Sequence, residues 1–405
     1  MNKLLIALLL IGTIVSCADN NSEKKATSTA DLSLLASPAA DSCAEPFLFT
    51  DINGVVYLSW VEKKAVKSSL KFSTLSNGKW SEPVIIASGF NWFVNWADYP
   101  VVTADGNNLL AHFLEKSDTA RFAYDVKLVS STDGGISWSN PKIVHDDGKN
   151  AEHGFVSMIP YGDNFFISWL DGRKTAMEDG AVQHEGHHGE MTLRAALIDK
   201  MGNKINEWEL DGKVCDCCQT SATITGNGPV VIYRDRSDDE TRHISIVRYV
   251  DGQWTSPAII YPDQWKIAGC PVNGPRADAI ENNLAIAWFT IDDKKGRVNI
   301  VFSEDGGATF GKPIRIDEGK PIGRVDVVML DKKTAMVSWM EGPFIKAAKV
   351  HNDGTKELSI TIASSSSARS SGFPQMTKAG NKLIFAWTDE KAKTIKMSSL
   401  FMDSF

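Results

Sequence analysis

Three cysteines stand within four residues in the segment VCDCCQT, as Cys215, Cys217 and Cys218. Cysteines this close together can pair with one another only in strained geometry. A fourth cysteine, Cys270, occurs in the segment GCPVNGPR. Thiolates combined with imidazoles are the ligand set of a soft metal ion, so the sequence predicts a copper or zinc site. The predicted ligands are Cys215, Cys217, Cys218, Cys270, His184, His187 and His188.

Two other interpretations of these cysteines stay open. An exported chain favours disulfides, so one or two structural bridges, such as one from the triplet to Cys270, would also account for them. Five cysteines remain once Cys17 is assigned to lipidation, and an odd number leaves at least one thiol unpaired. A reactive redox thiol is the third interpretation.

The elements that must position these residues show up as a sevenfold repeat. Each unit has a turn with Gly, Asn or Asp, then four or five apolar residues, then an aromatic residue, at intervals of about 50 residues. Examples are NGVVYLSWVE, GDNFFISWLD and GNKLIFAWTD. The repeated aromatic positions are Trp60, Phe113, Trp169, Tyr233, Trp288, Trp339 and Trp387.

Each unit predicts one four-stranded antiparallel sheet. The apolar residues alternate with period two, and Gly, Asp and Pro separate the runs without a helical apolar stripe. A ring of such sheets is an all-β propeller, which buries the faces between blades. We expect seven blades, with six as the alternative. The last unit lacks a fourth strand, and the segment LSLLASP at residues 32–38 is a candidate to close the ring.

Two hairpins carry a sharper signature, STDGGISW from Ser131 to Trp138 and SEDGGATF from Ser303 to Phe310. Glycine and a short polar side chain allow the positive φ angles of a tight turn. The pattern resembles the Asp box of the sialidase-like (BNR repeat) β-propeller superfamily. In that family the box is structural and lies away from the active face, so we place no function there.

The same resemblance implies where a ligand would bind. In such propellers the loops that lead into each inner strand, and those that join the second and third strands, open on one face around the central channel. The loops of units two to five bring unusual residues to this mouth, including Glu152 and His153 in NAEHGF. The predicted ligand-binding residues are Trp96, Tyr99, Arg173, Arg234, Arg242 and Asn273.

The resemblance also implies a catalytic set, which the sequence matches poorly. Sialidases hold a carboxylate with three arginines and use a tyrosine paired with a glutamate as nucleophile and an aspartate as acid/base. The expected R-I-P segment near the chain start is replaced by CAEPFLF, and no tyrosine follows Tyr261. The residues that could supply part of a clamp or an acid are Asp98, Arg194, Asp235, Arg236 and Arg276.

The N-terminus predicts export. Residues 1–17 read as a lipoprotein signal peptide, because a short apolar run ends in IVSC and makes Cys17 the expected lipidation site. Residues 18–42 have the composition of a flexible tether, and residues 43–405 are expected to form one propeller. The net charge of −7 argues against a nucleic-acid partner.

These observations predict an exported lipoprotein, held at the bacterial cell envelope through its lipid alone, with the outer membrane as the expected site and the propeller in the periplasm or at the cell surface. We expect a monomer that binds an anionic glycan or a metal at a mouth rich in Cys, His and Arg. An exo-glycosidase of sialidase type, acting on sialic acid or other acidic glycans, is the alternative. A scaffold for protein partners is a third class.

Overall fold

The fold is almost entirely β-structure. A computed structural model describes residues 32–176 and 189–404, and its strands form seven separate antiparallel sheets. Two short 3₁₀ turns, Arg369–Ser371 and Met402–Ser404, are the helical elements of the described residues. Within these ranges no helix has the length and apolar character required to cross a membrane. The seven-bladed propeller is therefore confirmed, and the six-bladed alternative is wrong.

Strands are numbered along the chain, and each sheet is one blade. The first strand and blades 1 to 3 comprise β1 (Leu32–Leu35); β2 (Cys43–Thr50), β3 (Val56–Lys64), β4 (Lys67–Ser76), β5 (Lys79–Trp80) and β6 (Val84–Gly89); β7 (Val102–Asp105), β8 (Asn108–Lys116), β9 (Tyr124–Ser131) and β10 (Lys142–Ile143); and β11 (His153–Tyr161), β12 (Asn164–Asp171), β13 (Thr192–Ile198) and β14 (Lys204–Asp211). Blades 4 to 7 comprise β15 (Ser221–Thr225), β16 (Gly228–Arg234), β17 (Ile244–Val250), β18 (Gln253–Trp254) and β19 (Ala258–Tyr261); β20 (Arg276–Ile280), β21 (Asn283–Asp292), β22 (Lys295–Ser303) and β23 (Ile314–Arg315); β24 (Pro321–Met329), β25 (Thr334–Glu341), β26 (Phe344–His351) and β27 (Ile360–Ser364); and β28 (Gln375–Ala379), β29 (Lys382–Asp389) and β30 (Thr394–Phe401). In blades 1 and 4 the outermost position is divided between two short strands that both pair with the third strand.

Strand β1 closes the ring. It pairs antiparallel with β30, with Leu32 opposite Leu400 and Leu35 opposite Met397. It thereby supplies the fourth strand that the seventh unit lacks, as expected for LSLLASP. This strand lies inside the range 18–42 that was assigned to a tether, so the propeller includes residues upstream of Cys43. Residues 1–31 lie outside the described residues, and the signal peptide and Cys17 stay predictions.

The repeated aromatic residues form the core between blades. Each of the seven stands on the second strand of its blade, and Trp60, Trp169, Trp288 and Trp339 are at most 1% exposed. Full burial of such a side chain stabilises the fold by roughly 2–3 kcal/mol. The period of the repeat therefore reports the spacing of blades.

Three inner strands carry the same irregularity near their first residues. The pairing of β2, β11 and β24 with their neighbours is interrupted by a register shift. At each shift one non-glycine residue has left-handed φ, namely Glu45 (57°), Phe155 (54°) and Arg324 (55°). A β-bulge redirects the side chains near it. Here the bulges lie near the first residues of the inner strands, which face the mouth.

The two S-x-D turns lie on the opposite face. They join third to fourth strands, β9 to β10 and β22 to β23, whereas the mouth is formed at the other strand ends. In the first turn Ser131 Oγ lies 2.7 Å from Asp133 Oδ1 and accepts a bond from Gly135 N at 2.9 Å. In the second turn Ser303 Oγ lies 2.8 Å from Asp305 Oδ1 and accepts a bond from Gly307 N at 2.9 Å. These bonds stabilise the hairpins, and they contact none of the mouth residues.

Candidate functional site

A buried tyrosine lies between two acidic side chains where the loops before the inner strands of blades 2 and 3 meet. The hydroxyl of Tyr124, the first residue of β9, lies 3.0 Å from Asp98 Oδ2 and 2.9 Å from Glu152 Oε1. Asp98 belongs to the loop before β7 and Glu152 to the loop before β11. A phenol has one proton to donate, so one of the two carboxyl groups must itself be protonated to complete both bonds.

Backbone geometry fixes Asp98 in this position. The N–H of Phe155 donates to Asp98 Oδ1 at 2.7 Å, and the left-handed φ of Phe155 directs that N–H inward. A Cβ atom at Gly154 would lie 2.0 Å from Asp98 Oδ2. Only glycine therefore leaves room for the carboxylate beside β11.

Burial gives this cluster unusual acidities. It raises the pKa of Asp98 to about 7, although the bonds from Phe155 and Tyr124 partly oppose the shift. It raises the pKa of Glu152 to about 8, with the Tyr124 bond opposing and the Asp98 charge adding. Because Asp98 also accepts a backbone N–H, we assign the carboxylate to Asp98 and the proton to Glu152. The bonds then run from protonated Glu152 to the Tyr124 oxygen, and from the Tyr124 hydroxyl to Asp98.

A second acid lies near this group. Burial raises the pKa of half-buried Glu45 to about 8; nearby Lys63 opposes the shift, and the Asp98 charge adds to it. Glu45 Oε2 is buried and has no hydrogen-bond partner among the described residues. It lines a cavity of about 440 Å³ between blades 1 and 7. The polar side chains of this cavity include Glu45, Lys63, Ser370, Thr388, Glu390 and Lys393.

The four cysteines that were predicted as metal ligands lie together where blades 4 and 5 meet. Cys215 Sγ and Cys218 Sγ are 3.6 Å apart, and the sulfur atoms of Cys215, Cys217 and Cys218 lie within 4.8 Å of one another. Cys270 lines the same small cavity as Cys215 and Cys217. None of the five cysteines among the described residues forms a disulfide.

The four thiols do not ionise alike: the pKa of Cys215 is raised to about 12 and that of Cys217 well above 9.0, whereas the pKa values of Cys218 and Cys270 are lowered. Burial opposes ionisation of Cys218, but hydrogen bonds from Cys215 and Cys217 and the charge of Arg234 lower its pKa well below 9.0. A hydrogen bond from Cys217 lowers the pKa of Cys270. Thiolate character is what both metal binding and redox chemistry require.

A small cavity of about 140 Å³ opens onto the cysteines. Its walls include Arg236 and Arg242, which were predicted to bind a ligand or take part in catalysis. Arg236 pairs with Glu240 at 2.7 Å and with Asp216 at 3.5 Å. Arg242 is 3% exposed, and its Nε and Nη1 have no hydrogen-bond partner among the described residues.

Arg173 and Arg194 do not lie over the cysteine cavity as predicted. Arg194 belongs to β13 itself and pairs with Glu207 at 2.6 Å and Glu209 at 2.9 Å. Arg173 pairs with Asp171 at 2.7 Å. Both guanidinium groups are occupied by acids of blade 3, which is why they stay on the blade.

Arg276 lines the central channel, a cavity of about 810 Å³ formed by the inner strands, and Tyr99 is buried in the core near it. Arg276 donates to Asp326 at 3.0 Å and to Gln375 at 3.2 Å, and its charge lowers the otherwise raised pKa of buried Tyr99. These residues join blades 2, 5, 6 and 7 below the mouth. They are separate from the tyrosine cluster in which Asp98 takes part.

The remaining predicted ligand residues make structural contacts. Trp96 stacks on Phe373 at 5.6 Å, and Arg324 lies 5.0 Å from the Trp96 ring. Arg234 is buried and donates to the carbonyl oxygens of Asn273, Arg242 and Phe289.

Two further residues of the predicted site accept hydrogen bonds through their side chains. Asn273 accepts from Arg324 N at 2.8 Å. Asp235 accepts from Ser245 Oγ at 2.9 Å. Asp235 therefore lies outside the tyrosine cluster, and Asp98 and Glu152 are the predicted acids that the fold brings together.

The predicted metal ligands His184, His187 and His188 lie outside the described residues. Two other histidines form a buried group: the rings of His145 and His153 stack with centroids 3.6 Å apart, and Asp147 contacts both, at 3.2 and 2.8 Å. His153 was expected at the mouth, but its stacking on His145 is a contact that the sequence does not display. The sequence analysis missed Tyr124, since a tyrosine that starts a strand resembles an ordinary core residue.

Known proteins resemble this chain in fold and not in sequence. No family model matches the chain, and no curated protein does. Among solved structures, the polysaccharide lyase Uly1 matches with a TM-score of 0.53 and 9% identity, over 91% of this chain and 92% of that one. The chain therefore shares its overall fold with this lyase. The arabinofuranosidase Arb93A of Fusarium graminearum matches with a TM-score of 0.50 and 9% identity, over 91% and 96% of the two chains. The microbial sialidase Hz136 matches with a TM-score of 0.42 and 16% identity, over 74% of this chain and 63% of that one.

Proposed function

We propose that this protein cleaves an acidic glycan at its mouth, with Glu152 as general acid. The observation that carries the proposal is the contact of Tyr124 with both Asp98 and Glu152, which requires one of these two carboxyl groups to be protonated. A carboxylic acid kept neutral near pH 7 is what cleavage of a glycosidic bond needs.

The chemistry follows from the direction of the hydrogen bonds. Glu152 gives its proton to the glycosidic oxygen as the bond to the sugar carbon breaks, and the electron pair stays on that oxygen. The Tyr124 hydroxyl can then turn from Asp98 toward the new Glu152 carboxylate. Water adds to the sugar carbon and returns a proton to Glu152, which restores the acid.

The cavity beside Glu45 supports the choice of substrate. Its volume of about 440 Å³ suits one or two sugar rings. Lys63 and Lys393 line it together with Glu45 and Glu390, so the carboxylate of an acidic sugar would bind at the lysines and away from the two acids. Proteins that share this fold include an arabinofuranosidase and a polysaccharide lyase, which are both carbohydrate-acting.

The test is turnover of defined glycans by the full chain. Sialyllactose, a glucuronate-rich polysaccharide and neutral arabinan would be incubated in parallel, with released reducing sugar as one readout and the ultraviolet absorbance of an unsaturated uronate as the other. We expect cleavage of an acidic substrate, and a kcat lowered by at least about 100-fold in Glu152→Gln. The kcat should fall as pH rises through about 8, where Glu152 loses its proton.

Glu82→Gln is the matched control, because Glu82 is exposed in the outer part of blade 1. A Glu152→Gln variant with wild-type kcat would refute the assignment. So would a wild-type chain that neither cleaves the acidic glycans nor binds them by calorimetry. Absorbance of an unsaturated product would show elimination in place of hydrolysis and would refute the water step.

Export and anchoring are a separate part of the proposal. We propose that Cys17 is lipidated, that the lipid is the chain's contact with the cell envelope, and that the propeller acts as a monomer. Labelling with a radioactive fatty acid should mark the wild type and leave Cys17→Ser unlabelled. Equal labelling of the two would contradict the anchor.

A further inference from the structure

Four thiols converge where blades 4 and 5 meet. Cys215, Cys217 and Cys218 come from the loop before β15, and Cys270 comes from the loop before β20. Cys215 and Cys218 are buried, whereas Cys270 is exposed at the rim of the 140 Å³ cavity. The group is therefore shielded on one side and reachable from solvent on the other.

We propose that these four cysteines bind one thiophilic metal ion, Zn(II) or Cu(I). An all-thiolate set selects these ions over magnesium, calcium or manganese, which prefer oxygen ligands. The proposal concerns the cysteine cavity and does not depend on the glycan chemistry of Glu152.

The sulfur positions fit a tetrahedral site. A Zn–S bond of about 2.3 Å places neighbouring sulfur atoms about 3.8 Å apart. The Cys215 to Cys218 separation of 3.6 Å is close to that edge, and the third sulfur lies within 4.8 Å of both. Movements below about 1 Å would complete the coordination of these three. Cys270, which lines the same cavity as Cys215 and Cys217, would supply the fourth sulfur.

The surrounding charges point independently to an anionic occupant. Arg242 is buried beside the cysteines and leaves Nε and Nη1 without hydrogen-bond partners among the described residues. Arg234 acts on Cys218 through its charge, and the bonds of its guanidinium group go to neutral carbonyl oxygens. A Zn(II) ion with four thiolates carries a charge of about −2. Arg242 also pairs with Glu240 at 2.6 Å, so Arg234 and the two free donors of Arg242 would offset part of this charge.

Metal content per chain is the direct measurement. The full chain would be purified without chelator or reductant and measured by mass spectrometry of its metals, before and after metal removal and reloading with Zn(II) or Cu(I). We expect one equivalent of zinc or copper per chain. Reloading with each ion separately shows which of the two binds more tightly.

Two variants make the result specific to this site. Cys270→Ser changes an exposed residue, so the fold should survive, and its metal affinity should fall by more than about tenfold. Cys43→Ser is the control, since Cys43 is a buried free cysteine of blade 1 and should leave the metal content unchanged. Equal metal in all three proteins would overturn the proposal.

The disulfide interpretation predicts a different outcome. A bridge from Cys215 to Cys218, or from Cys217 to Cys270, would appear as a linked peptide in mass spectrometry of the unreduced protein. Such a bridge together with absent metal, or a reduced chain that takes up neither ion, would overturn the site.

Discussion

Replacement of Glu152 by glutamine should change how stability depends on pH. Burial raises the pKa of Glu152 from 4.5 to about 8 in the folded chain. A carboxyl group whose pKa is raised on folding stabilises the fold below its unfolded value, and this contribution is lost as pH rises through the folded value. Between pH 4.5 and 8 the wild type should therefore lose stability, by at most about 5 kcal/mol, with coupling to Asp98 reducing the amount. Glutamine keeps the shape, donates to the Tyr124 oxygen and does not ionise.

The assay is urea unfolding of wild type and Glu152→Gln from pH 5 to pH 9. The two proteins should have similar free energies of unfolding near pH 5. At pH 8.5 the variant should be more stable by a few kcal/mol. The exposed control Glu82→Gln should follow the wild type at every pH. A constant difference between wild type and Glu152→Gln across this range would refute the claim that Glu152 is held in its neutral form.

Three further predictions concern the supports of the mouth, the ring closure and the cysteine cavity. Gly154→Ala should lower the free energy of unfolding in urea by about 1–3 kcal/mol, because the added Cβ would lie 2.0 Å from Asp98 Oδ2. Gly311→Ala is the control: its Cβ would have its nearest contact at 3.8 Å, so the free energy of unfolding should hardly change. A chain that starts at residue 43 should be less stable than one that starts at residue 31 by about 3 kcal/mol, because it loses β1 and the packing of Leu32 and Leu35. Calorimetry of the two chains measures this difference, and equal melting temperatures would contradict ring closure by β1. Arg242→Met should weaken zinc or copper binding by about tenfold in a competition titration with a metal indicator, whereas Arg242→Lys should retain most of the affinity. Unchanged affinity in Arg242→Met would show that the charge of Arg242 does not contribute to metal binding.

The architecture could be predicted because its signals are local. An apolar strand with a buried aromatic residue recurs in each blade, so Trp60 and Trp339 mark equivalent positions without knowledge of distant contacts. The closing segment at residues 32–38 could be located since the last unit was one strand short. The convergence of Cys270 on the cysteine triplet followed from the order of blades around the ring.

The details of the site depend on contacts that the sequence does not display. Arg194 was predicted to supply part of a clamp, but it lies on β13, where Glu207 and Glu209 of β14 neutralise it. Tyr124 was missed because its role depends on two loops that precede other strands. The left-handed φ of Phe155 has no residue signature, although the glycine before it marks the close approach of Asp98.

The protonation state of Glu152 tests the central claim most directly. Carbon-13 labelling of glutamate side chains, with Glu152→Gln to assign the signal, would allow the Glu152 carboxyl resonance to be followed from pH 4 to pH 10. We expect this carboxyl group to titrate near pH 8, so that the acid is neutral at the pH where the glycan is cleaved. A titration near the ordinary value of 4.5 would mean that Glu152 is a carboxylate at neutral pH, and the proposed general acid would be wrong.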